Sequence, residues 1–354
     1  MTRRKTKSLT VTLRDVALES GVSPATVSIV LNNAPLSRYI PPSTKDRIEK
    51  AAKKLSYRPK VVSRYLSAKR NRTVGVMVFD ITDPFCTLIL RGIENSLYQA
   101  SYLPILTDVH NQRGRFERYL EMLLARPVEG LIFVANWLFV DIDLIADLEK
   151  RNIPAVMIGR SLGSGAISSV MVDNEAGAHL AMEHLYSLGH RKIAFIRGPK
   201  MLSDSSPRWR GVRSFARSVG LEIDPALIVD LPDSLDSGYE GGFKLTEELL
   251  KHKKKFTAVM AFDDMTAFGA IRGLARAGLK VPEDCSVIGF DDVIPAGLSV
   301  PSLTTVRQPM EAIGSAAVGI VMESINASIE ERESLAVHRQ LAPELVVRES
   351  SRAV

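Results

Sequence analysis

Hydrophobic and polar positions follow two different patterns along the chain, and the change between them falls near residue 73. Before it, apolar residues recur at helical spacing in three short stretches, at residues 13–20, 25–32 and 44–57. After it, runs of consecutive apolar residues alternate with amphipathic stretches of helical length. The pattern predicts a small helical head and a larger body of alternating strands and helices, with a loop at residues 34–42, where three prolines occur.

Start and stop signals mark the helices of the head. Thr12 is a good N-cap for the first helix, and Gly21 ends that helix with the backbone freedom that a tight turn needs. Ser23 followed by Pro24 is a start signal for the second helix, and Ser43 is the expected cap of the third. Two short helices joined by a glycine turn are the layout of a helix-turn-helix, which lays its second helix in the major groove of DNA.

The second helix is expected to have two distinct faces. Val27 and Val30 point into the core of the head, which leaves Thr26, Ser28 and Ile29 on the outer face. Small hydroxyl side chains on that face suit contacts with DNA. Helical bundles that bind no nucleic acid share this shape, so the shape alone leaves both functions open.

The distribution of charge favours the DNA-binding alternative. Up to Arg72 the chain has 17 lysines and arginines against four acidic residues, whereas the remainder has 29 basic against 36 acidic residues. The net charge of +6 therefore conceals a basic head on a mildly acidic body. A basic head is what neutralisation of DNA phosphates requires.

The body reads as two similar lobes, each with a parallel sheet covered by helices. Apolar strands are predicted at 73–79, 102–108, 130–135, 153–159, 170–173, 192–198, 227–231, 257–263 and 286–292. Helices are predicted between them, at 85–100, through 120–124, through 145–148, at 176–188, 212–218, 243–250 and 266–277. The pattern restarts near Lys192, and a small ligand is expected in the crevice at the carboxyl ends of the strands.

Composition limits the compartment and the chemistry. A chain of 354 residues is expected to form two or three domains. Cys86 and Cys285 are the only cysteines and lack CxxC spacing, so neither a disulfide framework nor a metal site is predicted. No apolar segment follows the basic start of the chain as in a secretory signal, and no uninterrupted apolar run is long enough to span a bilayer. We expect a cytoplasmic protein that binds neither metal nor cofactor and has no membrane partner.

Several motifs, in a fixed order, resemble the lactose-repressor and galactose-repressor family of bacterial transcription regulators. They are TLRDVALESGVSPATVSIVLN, YRP with a leucine seven residues later, TVGVMV, DPF, VDNEAGAHLAMEHLYSLGHRKIAFIRGP, SVIGFDD and LAPELVVRES, and they extend from Leu13 to Ser350. The resemblance implies a homodimer that binds a pseudo-palindromic operator in double-stranded DNA and responds to a small effector, most simply a sugar or related metabolite. It also implies that the protein is nucleoid-associated when it is bound to the operator.

The resemblance also implies a domain organisation. A helix-turn-helix head occupies residues 1–58, and a hinge helix or linker occupies residues 59–72. Residues 73–350 form a periplasmic-binding-protein-like core of two Rossmann-like lobes, and residues 351–354 are a tail. The chain is expected to cross between the lobes near residue 172 and again near 305–330.

Within the head, the resemblance assigns contacts with DNA residue by residue. Phosphate and groove contacts are expected from Thr12, Ser23, Thr26, Ser28 and Asn32. Base contacts are expected from Pro24, Ala25 and Ile29. Leu66 is at the position of the hinge leucine that wedges between base pairs. Many members have arginine where this chain has Ile29, which can pack on thymine methyl groups but cannot contact guanine bidentately. The hinge also differs from the family pattern, with Lys60 in place of the usual asparagine and with Ser63 and Tyr65. An exposed linker position is the alternative for Leu66.

Within the core, the resemblance assigns the effector site. The expected contacts are Phe85, Cys86, Trp137, Arg160, Arg208, Asp263 and Asp291, most of them in loops that follow strands. Arg160 is assigned because Gly159 is at a position where some members have a polar ligand contact. Asp264 and Asp292 fit helix caps as well as they fit ligand contacts. His184 and His190 are expected to be structural.

Two other function classes fit parts of the chain. A periplasmic solute-binding protein has the same kind of core, but it needs a signal peptide and does not need a basic head. An enzyme could use Asp263, Asp291 and Arg208 for acid-base chemistry, yet no GxGxxG, Walker lysine, HExxH or GxSxG motif is present in the expected context. Carboxylates in a cleft also suit hydrogen bonds to polyols, so we predict a regulator and not an enzyme.

Overall fold

In the computed structural model the chain divides into two compact units, Met1–Arg70 and Asn71–Val354. The structure describes residues 11–31, 35–57, 71–134, 148, 153–160, 167–233, 238–252, 254–330, 332 and 335–354. The helices and strands are numbered below within these ranges. The expected helix through residues 145–148 and the expected hinge lie largely or wholly outside them.

The first unit is a small helical bundle. Its helices are α1 (Leu13–Ser20), α2 (Pro24–Leu31) and α3 (Pro42–Lys54), with a 3₁₀ helix at Pro35–Tyr39. Gly21 joins α1 to α2 with a φ of 65°, a backbone conformation that glycine adopts without steric cost. The core contains Val16, Ala17, Val27, Val30, Ile48, Ala51 and Ala52, which are buried on the facing sides of the three helices.

Two expectations for this unit are wrong. The third helix begins at Pro42, so Ser43 lies inside its first turn and does not cap it. Proline is well suited to the first helical position, because its missing N–H has no partner within the helix there. The predicted loop at 34–42 contains the 3₁₀ helix at Pro35–Tyr39, a short turn that the proline content obscured.

The second unit contains two lobes, each built on a six-stranded sheet. The first sheet has the order β11–β5–β4–β3–β1–β2 and is parallel throughout. Its strands are β1 (Thr73–Val78), β2 (Leu103–Asp108), β3 (Gly130–Val134), β4 (Ala155–Ile158), β5 (Ser168–Val172) and β11 (His338–Leu341). The helices of this lobe are α4 (Pro84–Gln99), α5 (Arg113–Leu124) and α10 (Met310–Ile329).

The second sheet has the order β12–β10–β9–β8–β6–β7, and the pair β10–β12 is antiparallel. Its strands are β6 (Ile193–Arg197), β7 (Ile228–Asp230), β8 (Ala258–Ala261), β9 (Ser286–Asp291), β10 (Thr304–Arg307) and β12 (Glu344–Val346). The helices are α6 (Asn174–Ser187), α7 (Ser205–Ser218), α8 (Gly238–Lys251) and α9 (Asp264–Arg276), with 3₁₀ turns at Pro225–Leu227 and Ile294–Gly297. The apolar strands of both sheets and the inner faces of the covering helices together form the buried core.

The chain crosses between the lobes three times. It leaves the first sheet after β5, returns from β10 to the first lobe with α10, and leaves again in the short connection between β11 and β12. Each crossing follows the carboxyl end of a parallel strand. The crossings therefore gather strand ends and their loops from both lobes at one crevice, the usual place for a ligand in open α/β sheets.

Helix α10 holds its place through close backbone contact with α4. A Cβ atom added at Gly92 would lie 2.1 Å from the carbonyl oxygen of Glu311, and one added at Gly314 would lie 2.3 Å from that of Ile89. By length and composition α10 is the one described helix apolar enough to cross a membrane. In this structure it packs against α4 and the first sheet, with residues such as Ile313 and Val321 buried. Its apolar character is therefore explained by a position in the core.

Candidate ligand-binding cavity and nucleic-acid interface

A cavity of about 290 Å³ lies in the core where the loops of the two lobes meet. The first lobe contributes residues that follow β1 and β2, and the second lobe contributes residues that follow β6, β8 and β9. Its polar lining comprises Asp80, Thr82, Asp83, Asn111, Asp204, Arg208, Asp263, Asp291 and Gln308, and its aromatic lining comprises Phe79, Phe85 and Phe262. Phe85, Arg208, Asp263 and Asp291, four of the residues expected from sequence, are thus brought together around one space.

Arg208 is held rigidly on the cavity wall. It projects from the first turns of α7, is only 7% exposed, and donates from Nε to Asn174 Oδ1 at 2.8 Å and from Nη1 to the carbonyl oxygen of Phe262 at 2.6 Å. The guanidinium carbon also lies 3.7 Å from the ring centroid of Phe290 and 4.6 Å from that of Phe262. Packing between aromatic rings and two short hydrogen bonds fix the direction in which the remaining N–H groups point.

Asp291 is the acidic partner of this arginine. Its Oδ1 accepts from Gln308 Nε2 at 2.6 Å and from Arg208 Nη2 at a longer 3.4 Å. Burial raises the pKa of this carboxyl group well above its usual range, against the opposite effect of Arg208. The carboxyl group therefore holds a proton more readily than an exposed aspartate, and it can donate to a ligand oxygen or accept from a ligand hydroxyl.

The two aspartates after β8 have different roles. Asp263 caps α9 by accepting from the backbone N–H of Thr266 at 2.7 Å, and its carboxylate lines the cavity. Asp264 is fully buried and accepts from the backbone N–H of Val293 at 2.9 Å and from the hydroxyl of Thr305. Burial raises the pKa of Asp264 to about 7. Asp264 thus neither caps α9 nor lines the cavity. Its hydrogen bonds connect the start of α9 to Val293 and to Thr305 of β10.

Asp292 is also structural. Its carboxylate forms ion pairs with Arg307 at 2.6 Å and Arg348 at 2.7 Å, and so links the end of β9 to β10 and to the segment after β12. The expectation that His190 is structural is confirmed, because the ring is buried and its nitrogens lie 2.8 Å from Thr257 Oγ1 and 3.0 Å from the carbonyl oxygen of Arg352.

The first lobe contributes a capped helix end to the cavity. Asp83 accepts from the backbone N–H of Phe85 at 2.9 Å and so caps α4. Burial raises the pKa of Asp83 to about 6, and the charges of Asp263 and Asp80 add to that effect. Cys86 does not line the cavity: it is 0% exposed and packs in the core, where burial raises the pKa of its thiol well above the usual value. The expectation that Cys86 contacts the effector is therefore not supported by its position.

Two further expected contacts do not join the described cavity. Arg160 follows β4 and is half-buried, but it is not part of the lining. Trp137 lies outside the described residues.

Asn111 is a lining residue that sequence reasoning missed. It follows β2 with a φ of 54°, and its backbone N–H donates to the carbonyl oxygen of Phe79 at 2.7 Å. Its Oδ1 is buried and has no hydrogen-bond partner among the described residues. A buried acceptor without a donor is costly, and a ligand hydroxyl or amino group would satisfy it. The position of Asn111 in a loop after a strand was the available signal.

Gln308 and Asn174 were also missed, for a different reason. Both lie at crossings between the lobes and act mainly by orienting Asp291 and Arg208. Asn174 in turn donates to Asp204 Oδ1 at 3.0 Å. Nothing in their local sequence distinguishes them from ordinary loop and helix-start residues.

One group of side chains could in principle hold a metal ion. Oxygen or nitrogen atoms of Asp80, Asp108 and His110 lie within 4.8 Å of one another. The carboxylates already accept backbone N–H groups, since Asp80 Oδ1 accepts from Thr82 at 2.8 Å and Asp108 Oδ1 accepts from His110 at 3.0 Å. These bonds account for the cluster as part of the turns after β1 and β2.

The head presents an exposed surface at the start of α2. Ser23, Pro24 and Ala25 are exposed, and Thr26, Ser28 and Ile29 are half-exposed, while Val27 and Val30 are buried. Ser23 caps α2, because its Oγ accepts from the backbone N–H of Thr26 at 3.1 Å. Thr12 is exposed at the start of α1, and both its backbone N–H and its hydroxyl donate to Asp15 at 2.7 Å. Asn32 and Leu66 lie outside the described residues.

Comparisons with known proteins agree with this geometry. Residues 12–60 match the family model described as "Bacterial regulatory proteins, lacI family", and residues 182–351 match the "Periplasmic binding protein-like domain". The chain is 31% identical over 353 residues to the HTH-type transcriptional repressor CytR of Escherichia coli strain K12, with 99% of each chain covered.

Solved structures extend the similarity to the whole fold. The lac repressor dimer bound to operator and the anti-inducer ONPF matches with a TM-score of 0.82 and 26% identity, over 97% of this chain and 99% of that one. A LacI family transcriptional regulator from Enterococcus faecium with bound ribose matches with a TM-score of 0.69 and 31% identity, over 80% of this chain and 99% of that one.

Proposed function

The chain belongs to the lacI family of bacterial regulatory proteins, and on that basis we propose which effector its core binds and which residues of its head contact DNA. As a member of this family it is a sequence-specific, DNA-binding transcriptional repressor and not an enzyme, and a small effector bound in its core controls its affinity for operator DNA. It acts as a homodimer in the cytoplasm. Association with the nucleoid through the bound operator is part of the proposal.

The proposed effector is an uncharged sugar or sugar-containing metabolite. Among the described lining residues, five carboxyl groups accompany a single guanidinium group: Asp80, Asp83, Asp204, Asp263 and Asp291 against Arg208. An excess of acidic groups repels phosphate and carboxylate ligands but accepts hydrogen bonds from hydroxyl groups. A cavity of about 290 Å³ lies at the lower end of the range for small-molecule sites, as a compact polyol requires.

The observation that carries this proposal is the arrangement of Arg208 and Asp291 on one wall. Both groups are nearly buried and both are oriented by other residues, so neither needs to reorganise when a ligand binds. Together they offer N–H donors and a carboxyl oxygen, the pair of functions that vicinal hydroxyl groups require. On the other side of the cavity, the ring of Phe85 can pack against one face of a sugar ring, and the unpartnered Oδ1 of Asn111 can accept a hydrogen bond from a hydroxyl group at its edge. The ribose bound to the Enterococcus faecium regulator supports this class of ligand.

Isothermal titration calorimetry of the full-length protein tests the effector class. The panel contains neutral sugars, sugar phosphates, nucleosides and free purine bases. We expect binding by a neutral sugar or a nucleoside and none by the phosphorylated forms. Binding by free bases alone would refute the proposal, since these lack the hydroxyl groups on which it depends.

The proposed DNA contacts lie on the outer face of α2 and its flanks. Thr12, Ser23, Thr26, Ser28 and Asn32 contact phosphates and the groove, Pro24, Ala25 and Ile29 contact bases, and Leu66 wedges into the operator centre. The exposure of Ser23, Pro24 and Ala25 supports this assignment within the described residues. Since Ile29 offers only an apolar surface, we propose a half-site with thymine methyl groups opposite it.

Selection of bound DNA from a random pool tests the DNA face. The full-length protein is expected to recover a palindrome with A·T pairs opposite Ile29. Ile29→Arg is expected to shift the preferred base at that position to guanine, with a discrimination of about 1–3 kcal/mol. The same selection at two salt concentrations separates specific contacts from phosphate contacts, which weaken steeply with salt. A palindrome unchanged by Ile29→Arg would contradict the assignment of Ile29.

A further inference from the structure

A second and larger cavity, of about 490 Å³, lies at the opposite end of the sheet in the second lobe. Ile193, at the start of β6, lines it, whereas Pro199, beyond the end of β6, lines the effector cavity. β6 is five residues long, so its two ends lie about 13 Å apart. The two cavities therefore lie at opposite ends of the second sheet and are separate sites.

The second cavity combines apolar side chains with a basic rim. Its apolar lining comprises Ile193, Phe195, Leu221, Ile223 and Leu227, of which Leu221 and Ile223, after α7, are partly exposed and the others are buried beneath them. The rim carries Arg191, Lys192, Lys254 and Lys255, all of them exposed. Partly exposed apolar side chains beside a cluster of cations suit a molecule that has an apolar body and an anionic group.

Arg191 is fixed at this rim. Its guanidinium carbon lies 3.6 Å from the ring centroid of Tyr186, and its Nη1 donates to the carbonyl oxygens of Tyr186 at 2.8 Å and His190 at 3.1 Å. No acidic side chain pairs with Arg191 within the described residues. A positive charge is thus held in place by the backbone, with Nε and Nη2 left for another acceptor.

The acidic residues of the rim do not cancel this charge. Asp224 accepts from the backbone N–H of Ala226 at 2.9 Å and from Lys254 Nζ at 3.0 Å, so its charge is balanced by Lys254. Arg191, Lys192 and Lys255 then face the single remaining acid, Glu222. The mouth of the cavity keeps a net charge of about +2, which attracts anions.

We propose that this cavity is a second small-molecule site, which binds an amphipathic anion with an aromatic or aliphatic body. The body packs on Val219, Leu221 and Ile223, and the carboxylate, sulfonate or phosphate group pairs with Arg191, Lys192 and Lys255. Its charge preference is opposite to that of the effector cavity, where acidic groups outnumber the single arginine. The core would then bind two chemically distinct ligands without competition between them.

Fluorescence titration of the full-length protein with 8-anilinonaphthalene-1-sulfonate tests this inference, because that probe combines an aromatic body with a sulfonate. We expect one saturable site per chain. The double variant Lys192→Glu and Lys255→Glu should bind at least about tenfold more weakly, since it replaces two cations with two anions at the rim. Neutral N-phenyl-1-naphthylamine should also bind at least about tenfold more weakly than the sulfonate.

Two control variants separate this site from general effects of charge and from the effector cavity. Lys244→Glu with Lys280→Glu makes the same change of net charge on exposed lysines away from the cavity, and it should bind the probe as the wild type does. Arg208→Ala changes the effector cavity and the aromatic packing beside it, and in the folded variant it should leave probe binding unchanged. Circular dichroism melting checks that every variant is folded.

Three results would overturn the inference. Equal weakening in the two lysine double variants would mean a non-specific charge effect, and equal affinity for the neutral probe would mean that the rim has no role. Binding of an acidic peptide, without binding of the sulfonate probe, would mean a docking surface for a protein and not a small-molecule site.

Discussion

Replacement of Asp83 by asparagine should stabilise the protein at neutral pH, although Asp83 caps a helix. The carboxyl group accepts from the backbone N–H of Phe85, and asparagine is as good an N-cap as aspartate, so the cap survives. What changes is the charge. Burial, together with Asp263 and Asp80, raises the pKa of Asp83 from the ordinary 3.8 to about 6. The folded protein therefore binds this proton more tightly than the unfolded chain does.

The size of the effect follows from proton linkage. A group with a raised folded-state pKa contributes its full stability below the unfolded value of 3.8, and the protein loses that stability as the pH rises through about 6. The shift from 3.8 to about 6 corresponds to at most about 3 kcal/mol. Partial exposure and local relaxation reduce this figure, so Asp83→Asn should raise the free energy of unfolding by about 1–3 kcal/mol at pH 8. Below pH 4 the two proteins should be equally stable.

Urea unfolding followed by circular dichroism at a series of pH values measures this difference. Asp224→Asn is a matched control, because Asp224 also caps a short helix but its pKa is lowered by the N–H of Ala226 and by Lys254. A group with a lowered pKa stabilises the folded state above the unfolded pKa, so Asp224→Asn should destabilise the protein at pH 8. A stabilisation by Asp83→Asn that is independent of pH, or a loss of stability at pH 8, would show that the charge of Asp83 is not the cause.

Three further predictions test the cavity and the packing of the core. Arg208→Ala should abolish the effector response, because it removes the fixed donor and leaves Asp291 buried without its charged partner. Operator binding measured by gel shift should stay largely intact, and loss of both activities would mean that Arg208 supports the fold. Asn111→Ala should weaken effector binding about threefold to tenfold by calorimetry, the value of one neutral hydrogen bond, and unchanged affinity would exclude Oδ1 as a contact. Gly92→Ala should lower the free energy of unfolding by about 1–3 kcal/mol in urea, because its Cβ would clash with the carbonyl group of Glu311. The control Gly114→Ala, where nothing lies within 4 Å, should be neutral or stabilising, and equal effects of the two variants would contradict the close approach of α4 and α10.

The sequence predicts much of the fold, because apolar strand runs and amphipathic helices carry a strong periodic signal. The strands from β1 to β9 fall where such runs occur. The elements after residue 292 were not among the predicted strands and helices. His338–Leu341 is a largely exposed and polar strand, so only its partner β5 makes it a strand. The helix α7 begins at Ser205, well before the predicted start at residue 212, because its first turns are polar and bury an arginine in place of an apolar residue.

Cavity residues could be predicted where they follow strands and match the family's motifs. They could not be predicted where only the three-dimensional arrangement determines whether a side chain lines the cavity. Phe85 and Cys86 are neighbours on α4, yet a step of about 100° along the helix directs one to the cavity and the other to the core. A motif identifies such a pair but cannot separate its members. Asn111 and Gln308 needed the tertiary structure, since their importance lies in a missing partner and in the orientation of Asp291.

The three crossings between the lobes also determine the order in which the protein can be completed during synthesis. The head is continuous in the chain, and its core residues from Val16 to Ala52 are made first. The first lobe includes α10 and β11, and the second includes β12, so the first sheet is complete only at Leu341 and the second only at Val346 of a 354-residue chain. Translation that stops soon after β10 would therefore release a chain with an entire DNA-binding head and two unfinished lobes. Such a chain would expose apolar sheet faces and helix surfaces, the features that direct a protein towards aggregation or degradation before it can occupy an operator.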